Sequence, residues 1–197
     1  MYDFENAGKW TKRIIDGYLT EGMTAVDATM GNGHDTLYLC GKVGRSGKVI
    51  AFDVQEQALI NTRARLTDAG VIDRAELILD SHEHMDAYLD SAPDLIMFNL
   101  GWLPGAEHAV TTQTDTTLRA VSAALDVLRE DGLLTICVYP GHAEGSRERD
   151  ALLDWARKLD PARFDATLKC YLNQYNDPPL LIAVKKNRTR KHRLPRS

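Results

Sequence analysis

The sequence predicts an α/β fold: a seven-stranded, mostly parallel sheet with helices on both faces and an antiparallel hairpin at its C-terminal end. Three observations predict it. Short apolar runs such as Val-Ile-Ala-Phe (49–52) and Leu-Ile-Met-Phe (95–98) alternate with amphipathic stretches of helical spacing, the pattern of parallel strands buried on both faces. One run closes on a Gly-x-Gly turn, Gly31-Asn32-Gly33, that opens a helix. The last two strand-like runs are joined only by Asn173-Gln174-Tyr175-Asn176-Asp177-Pro178-Pro179, with no room for a crossover helix, so they must pair antiparallel.

The elements follow in order. Trp10, Ile14, Ile15 and Tyr18 mark a helix over 6–20, stopped by Glu21-Gly22-Met23. Strands are predicted at 24–29, 48–54, 75–80, 94–100 and 133–139, with helices at 34–42, 55–69, 112–130 and 144–159 between or after them. Runs at 165–172 and 180–186 form the closing hairpin, a layout in which one edge strand runs against the others.

Composition narrows the function classes. A chain of 197 residues, 44% hydrophobic and 26% charged, suits one domain with a sizeable core. It lacks an apolar run of membrane-spanning length, and Met1-Tyr2-Asp3-Phe4-Glu5 lacks the basic-then-apolar pattern of a signal peptide. The expectation is a cytoplasmic protein with no membrane partner. Cys40, Cys137 and Cys170 are odd in number, widely spaced and set in apolar surroundings, which favours reduced thiols over a disulfide frame or zinc site. Seven Lys or Arg stand in the last thirteen residues with no acid among them; set against the −4 of the whole chain, they leave a body of −11. Residues 1–186 therefore read as the folded domain and 187–197 as a basic tail, either a solvated end or a reach towards phosphates.

The chemistry gathers at predicted strand ends, where open α/β sheets bind ligands. In Asp27-Ala28-Thr29-Met30-Gly31-Asn32-Gly33-His34-Asp35-Thr36, the glycines permit a tight turn and the following helix start offers N–H groups to a nucleotide-type cofactor. Asp27 would repel a pyrophosphate but attract the ammonium and sulfonium charges of S-adenosylmethionine (SAM), and Thr36 stands where a dinucleotide fingerprint wants glycine or alanine. The bland alternative is an ordinary strand-to-helix turn. Asp53, ending the second strand, suits a pair of ribose hydroxyls; Ser81 and His82, ending the third with Asp80, suit an adenine edge or a plain helix cap.

The fourth strand ends Asn99-Leu100-Gly101-Trp102-Leu103-Pro104-Gly105. An amide at a strand end followed by a Gly/Pro-shaped loop with an aromatic can hold a nitrogen nucleophile in line with a methyl donor, with no strong base needed. Tyr139-Pro140-Gly141-His142 adds a phenol and an imidazole to the same rim, and His142 is a candidate for accepting a proton. His82-Glu83-His84 does not read as a metal site, because alternate residues on a helix share no face.

Together with Phe-Asp-Val-Gln (52–55) and the Asn-Gln-Tyr-Asn-Asp-Pro-Pro segment (173–179), these motifs resemble, in order and over nearly the whole chain, the small bacterial SAM-dependent methyltransferases labelled rRNA methylases. The resemblance implies a class I, Rossmann-like methyltransferase that methylates the 5-aminomethyl group of 2-thiouridine at tRNA wobble position 34, works as a homodimer, and takes the tRNA anticodon stem-loop as partner. It places Asp27, Gly31, Asn32, Gly33, His34, Asp35, Thr36, Asp53 and Gln55 around SAM, to which the reading of the strand ends adds Thr29, Ser81, His82, Asn99, Leu100 and Gly101. Asn99, Tyr139 and His142 fall at the reacting end, with Trp102, Leu103, Gln174, Tyr175 and Asn176 on the methyl acceptor. One departure stands out: the family loop after Leu-Pro-Gly usually continues Gly-Asp-Lys, whereas Ala106-Glu107-His108 follows here. The competing readings are a small-molecule N- or O-methyltransferase or rRNA enzyme on the same fold, and a non-catalytic nucleoside-binding module.

Overall fold

The computed structural model describes residues 6–100, 114–141 and 143–188. In chain order these are α1 (Ala7–Asp16), β1 (Thr24–Asp27), α2 (His34–Val43), β2 (Lys48–Asp53), α3 (Glu56–Asp68), β3 (Ala75–Leu79), β4 (Leu95–Leu100), α4 (Thr114–Val127), β5 (Leu133–Val138), α5 (Ala143–Arg157), β6 (Phe164–Lys169) and β7 (Leu180–Lys186), with 3-10 turns at Ile72–Arg74 and His82–Tyr88. The seven strands form one sheet in the order β3-β2-β1-β4-β5-β7-β6. β1 to β5 are parallel, and β7 runs antiparallel to both β5 and β6.

The alternation of side chains along each strand divides the core in two. Val26, Ile50, Phe52, Ile96, Phe98, Leu134 and Ile136 face one way, against α4 and α5. Ala25, Val49, Leu95 and Met97 face the other, packed with Ile15 of α1, Leu39 and Val43 of α2 and Leu66 of α3. Phe52 and Phe98 are fully buried, each contributing about 1.5–3 kcal/mol relative to exposure.

The position of the hairpin corrects the expectation that the reversed strand lies at an edge. β7 is inserted between β5 and β6, and β6 is the edge. The side chains explain it: Leu180-Leu181-Ile182-Ala183-Val184 are all buried, whereas only Phe164 of β6 is. A strand apolar on both faces belongs inside a sheet, and an alternating polar one tolerates its rim. Lys186 at the far end of β7 reaches the carbonyls of Leu125 (2.7 Å), Asp126 (3.1 Å) and Leu128 (2.6 Å), so the inserted strand also caps the C-terminus of α4.

The parallel strands all deliver their carboxyl ends to one edge of the sheet, and α1 packs through Trp10 against Cys137 and Leu181 beside it. Cys40 and Cys137 are buried free thiols and Cys170 is a half-buried one; burial pushes Cys40 and Cys137 up to about 11, so they stay protonated. No helix among the described residues is long and apolar enough to cross a membrane. Residues 189–197, most of the basic tail, lie outside the described residues.

Candidate active site

The turn after β1 is held from beneath and from the side. Gly31 and Gly33 adopt φ +49° and +76°, the left-handed region that only glycine enters at little cost. Gly33 has a second reason: a Cβ there would stand 2.8 Å from the Cα of Thr62. The glycine therefore allows α3 to approach the turn, as well as opening the path to a ligand. Met30 donates its N–H to the Phe52 carbonyl at 2.9 Å, which ties the turn to β2.

Asp27 differs from its expected role. It is fully buried, its Oδ2 accepting from the Thr36 hydroxyl at 2.7 Å and its Oδ1 from the Thr29 N–H at 3.1 Å. Burial raises its carboxyl to about 7, with the neighbouring Asp35 and Asp53 charges adding to the rise and the two hydrogen bonds opposing it. Asp27 and Thr36 thus lie under the loop and set its shape; neither side chain faces an open edge. β1 lies inside the sheet between β2 and β4, and the loop that leaves it folds over its own end.

Asp53 is half-buried at the end of β2. Its Oδ2 accepts from Gly31 N and its Oδ1 from Gln55 N, both at 3.0 Å, which joins the Gly turn to the start of α3. Each carboxylate oxygen keeps a free lone-pair direction, enough for ribose hydroxyls. Val54 beside it is 58% exposed, an apolar face at the same rim.

Asn32 and His34 turn towards α3 instead of across the sheet edge. Asn61 Nδ2 donates to Asn32 Oδ1 at 2.8 Å, Arg65 Nε donates to the Asn32 carbonyl at 2.7 Å, and Arg65 Nη2 lies 3.2 Å from His34 Nε2. Thr62 Oγ1 donates to the Gly31 carbonyl at 3.0 Å. Asn61, Thr62 and Arg65 were missed in the sequence, although 61 and 65 share one helix face by their i, i+4 spacing. No described side chain caps the N-terminus of α2, where Gly33 is the cap residue, so its first N–H groups are left to an incoming group.

On the adenine side, Ser81 is the cap of the following 3-10 turn, accepting from Glu83 N. His82 Nδ1 lies 3.0 Å from the Ala28 carbonyl; a carbonyl only accepts, so Nδ1 carries the proton. Burial lowers the pKa of His82 and keeps the ring neutral, and its buried Nε2 has no hydrogen-bond partner among the described residues. His84 instead faces Asp80, and the described residues hold no group of three His, Cys, Asp or Glu fit for a metal.

At the end of β4, Thr29 Oγ1 accepts the Asn99 N–H at 2.9 Å and Asp35 Oδ2 accepts from Asn99 Nδ2 at 2.9 Å. Asn99 Oδ1 is buried and has no partner among the described residues. Tyr139, at the end of β5, has its hydroxyl within hydrogen-bonding reach of both Cys137 and Asn99, and burial pushes it above its ordinary value, so the phenol stays protonated. Leu100 is only 1% exposed and belongs to the core, which corrects its placement around the cofactor: its side chain packs inward, away from the edge. Above these strand ends rises the β6–β7 connection, with Gln174, Tyr175 and Asn176 exposed, Tyr175 at 92%. Gly101, Trp102, Leu103 and His142 lie outside the described residues.

A glycine turn, an uncapped helix start, a strand-end carboxylate and an exposed apolar neighbour suit an adenosyl cofactor. Orphaned Asn99 Oδ1 beside them suits a methyl acceptor. The fold is that of the class I, Rossmann-like methyltransferases, and this edge is its candidate cofactor site. The family model described as "Putative rRNA methylase" matches residues 49–185, and the chain belongs to that family. A protein of the same description from Clostridium thermocellum superposes with a TM-score of 0.91 at 38% identity, covering 93% of this chain and 99% of that one. A "putative methyltransferase" from Streptococcus mutans, solved in complex with S-adenosylhomocysteine (SAH), superposes with a TM-score of 0.85 at 39% identity and the same coverage. The chain thus shares the family and the fold of SAM-dependent methyltransferases. A chloroplastic tRNA (mnm5s2U34)-methyltransferase of Arabidopsis thaliana is 35% identical over 149 residues, 71% of this chain. The chain spans 54% of the length of that curated relative.

Proposed function

We propose that the chain methylates RNA at a primary amine, namely the 5-aminomethyl group of 2-thiouridine at tRNA wobble position 34 (nm5s2U to mnm5s2U). The observation that carries this reading is Asn99: a strand-end amide whose Oδ1 is buried without a described partner, beside the turn that suits SAM. The chloroplastic relative, whose name carries the same nucleoside, supports the choice of acceptor.

When bound, SAM supplies a sulfonium-activated methyl: the S–CH3 bond breaks as the N–CH3 bond forms, and the electron pair stays on sulfur as the thioether of SAH. The chain's task is then to hold a neutral amine and exclude competing nucleophiles. Asn99 Oδ1 accepts one N–H of the amine and leaves the nitrogen lone pair free to attack. Tyr139, kept protonated by burial, acts as a donor and wall and not as a base. The proton that the new secondary ammonium later sheds passes to solvent, since an alkylammonium product needs no base during transfer. Val54 and Asp53 hold the adenosyl end, and the α2 N-terminus and the Gly turn hold the remainder. The exposed Tyr175 offers a stacking surface to a splayed anticodon base. This reading includes the homodimer, in which two basic tails would offset an acidic body on one RNA.

That body of −11 is the observation favouring the second reading, a small-molecule N- or O-methyltransferase. Nucleoside mass spectrometry of tRNA from cells lacking the protein separates the two. The expected result is loss of mnm5s2U with accumulation of nm5s2U, restored by the wild-type chain and not by Asn99→Ala. Unchanged tRNA, with activity on free amines, would establish the small-molecule reading.

A further inference from the structure

The amide of Asn99 can serve as an acceptor only if it is held the right way round, because a 180° turn about its last torsion exchanges O and NH2 at nearly no steric cost. Two groups hold it. Asp35 Oδ2 takes an Asn99 Nδ2 hydrogen at 2.9 Å, and the Tyr139 hydroxyl lies beside the same amide. Asp35 is in turn held by a residue from an element no site motif touches: Lys12 of α1, whose Nζ lies 3.3 Å from Asp35 Oδ1. Lys12 itself stands over the Tyr38 ring, 5.1 Å from its centroid, which limits where its ammonium can go. α1 is anchored by Trp10, buried against Cys137 and Leu181, one residue before the site's Val138-Tyr139 and within the strand that precedes it.

Resting on the amine-methylating reading above, we propose that Lys12 and Asp35 are positioning residues that fix the orientation of the Asn99 amide and so make its Oδ1 the acceptor for the substrate N–H. An ionised carboxylate has no donor, so an inverted amide would set oxygen against oxygen beside Asp35. Lys12 sets its ammonium against the far oxygen and holds the carboxylate in place. The buried, unpartnered Oδ1 follows from this arrangement: the NH2 side of the amide is turned to Asp35 and the Tyr139 hydroxyl, and the oxygen is left for the ligand. α1 thereby becomes part of the methyl-acceptor site, although it lies outside every cofactor motif and before the first strand.

The test uses the full chain with SAM and tRNA isolated from cells lacking this protein. Asp35→Asn, which can present either an oxygen or an NH2 to its neighbour, is expected to lower kcat about tenfold to a hundredfold while the KM for SAM stays within about threefold. Lys12→Met is expected to lower kcat by about threefold to tenfold on the same grounds, and Lys12→Arg, which keeps the ion pair, to restore it. An independent arm needs no turnover: the side-chain amide protons of Asn99, assigned by their loss in Asn99→Ala, are followed by 1H–15N correlation in the SAM-bound chain. They are expected to shift upfield in Asp35→Asn as the carboxylate bond is lost. The proposal is overturned if kcat is unchanged in Asp35→Asn, or if the KM for SAM rises in step with the loss, which would make Asp35 a plain cofactor contact. It is equally overturned if Lys12→Arg is no better than Lys12→Met, or if the amide resonances do not move. Absence of methyl transfer in the wild-type chain would instead remove the acceptor assignment, leaving the amide-orientation arm to decide the role of Asp35.

Discussion

Around residues 27–36 most side-chain polar atoms have a protein partner: Asp27 with Thr36 and Thr29, Asn32 with Asn61, Asp53 with Gly31 and Gln55. Along the ends of β4 and β5 and the β6–β7 connection the construction is the reverse. Asn99 Oδ1 is without a described partner, Tyr139 is 38% exposed, and Leu172 and Tyr175 stand almost wholly in solvent at 96% and 92%. The first region is preorganised, so its ligand gains its contacts without ordering the chain. The second leaves one buried acceptor and several aromatic and apolar faces open to a partner. On the amine-methylating reading proposed above, one cofactor and a much larger partner meet at adjoining halves of one sheet edge, and the two halves differ accordingly.

Four experiments sharpen or break that contrast. The largest effect is expected from Gly33→Ala. The left-handed backbone strains any other residue by about 1–3 kcal/mol, and the added methyl meets the backbone of Thr62 at 2.8 Å. Calorimetry is expected to show SAM affinity reduced beyond a hundredfold together with a lower melting temperature; a normal titration would mean that the cofactor half is less rigid than described.

Asn99→Ala comes next. Removing a positioned acceptor is expected to slow methyl transfer by about 10²–10³ while SAM binds within about threefold of wild type. Equal losses in binding and turnover would erase the division between the halves.

The third concerns Asp27, whose carboxyl is raised by burial to about 7. Between the ordinary carboxylate value and 7, the folded chain holds a proton that the unfolded chain has released. Stability therefore falls as pH rises through that window, by on the order of a few kcal/mol in all. Asp27→Asn keeps the two hydrogen bonds in kind and carries no titration. Subtracting its stability, measured by denaturant unfolding from pH 4.5 to 7.5 without ligand, is expected to leave a curve that declines with pH; a flat or rising difference contradicts the assigned state.

The smallest effect is expected from Tyr175→Ala. A residue so exposed should change stability by less than about 0.5 kcal/mol, while tRNA affinity weakens by about 1 kcal/mol through the lost stacking surface. Filter binding at several salt concentrations checks this. A stability loss would show that the tyrosine packs in the fold, and salt-insensitive tRNA affinity would count against phosphate contacts altogether.

The residues of the cofactor turn were legible because their chemistry is local. A tight turn off a strand end needs left-handed backbone, which Gly31 and Gly33 supply, and Asp53 closes an apolar run whose length marks the strand end. The brace from Asn61, Thr62 and Arg65 was not legible, nor was the pair of Lys12 with Asp35, because each joins segments 23 or more residues apart through packing angles that no periodicity encodes. Asp27 shows the same limit from the other side. A strand-end acid reads alike whether it faces solvent or the underside of its own loop.

By itself the sequence determined seven strands, their alternation with helices, the turn that follows β1 and the polar residues that end β2, β4 and β5, since hydrophobic period and glycine chemistry act over a few residues. Only the tertiary structure decided that β7 lies inside β6, that Asp27 and Thr36 are buried together, and that α1 reaches the acceptor site through Lys12. Those outcomes depend on which surfaces exclude water from one another once the sheet has closed, and burial of that kind is a property of the assembled chain.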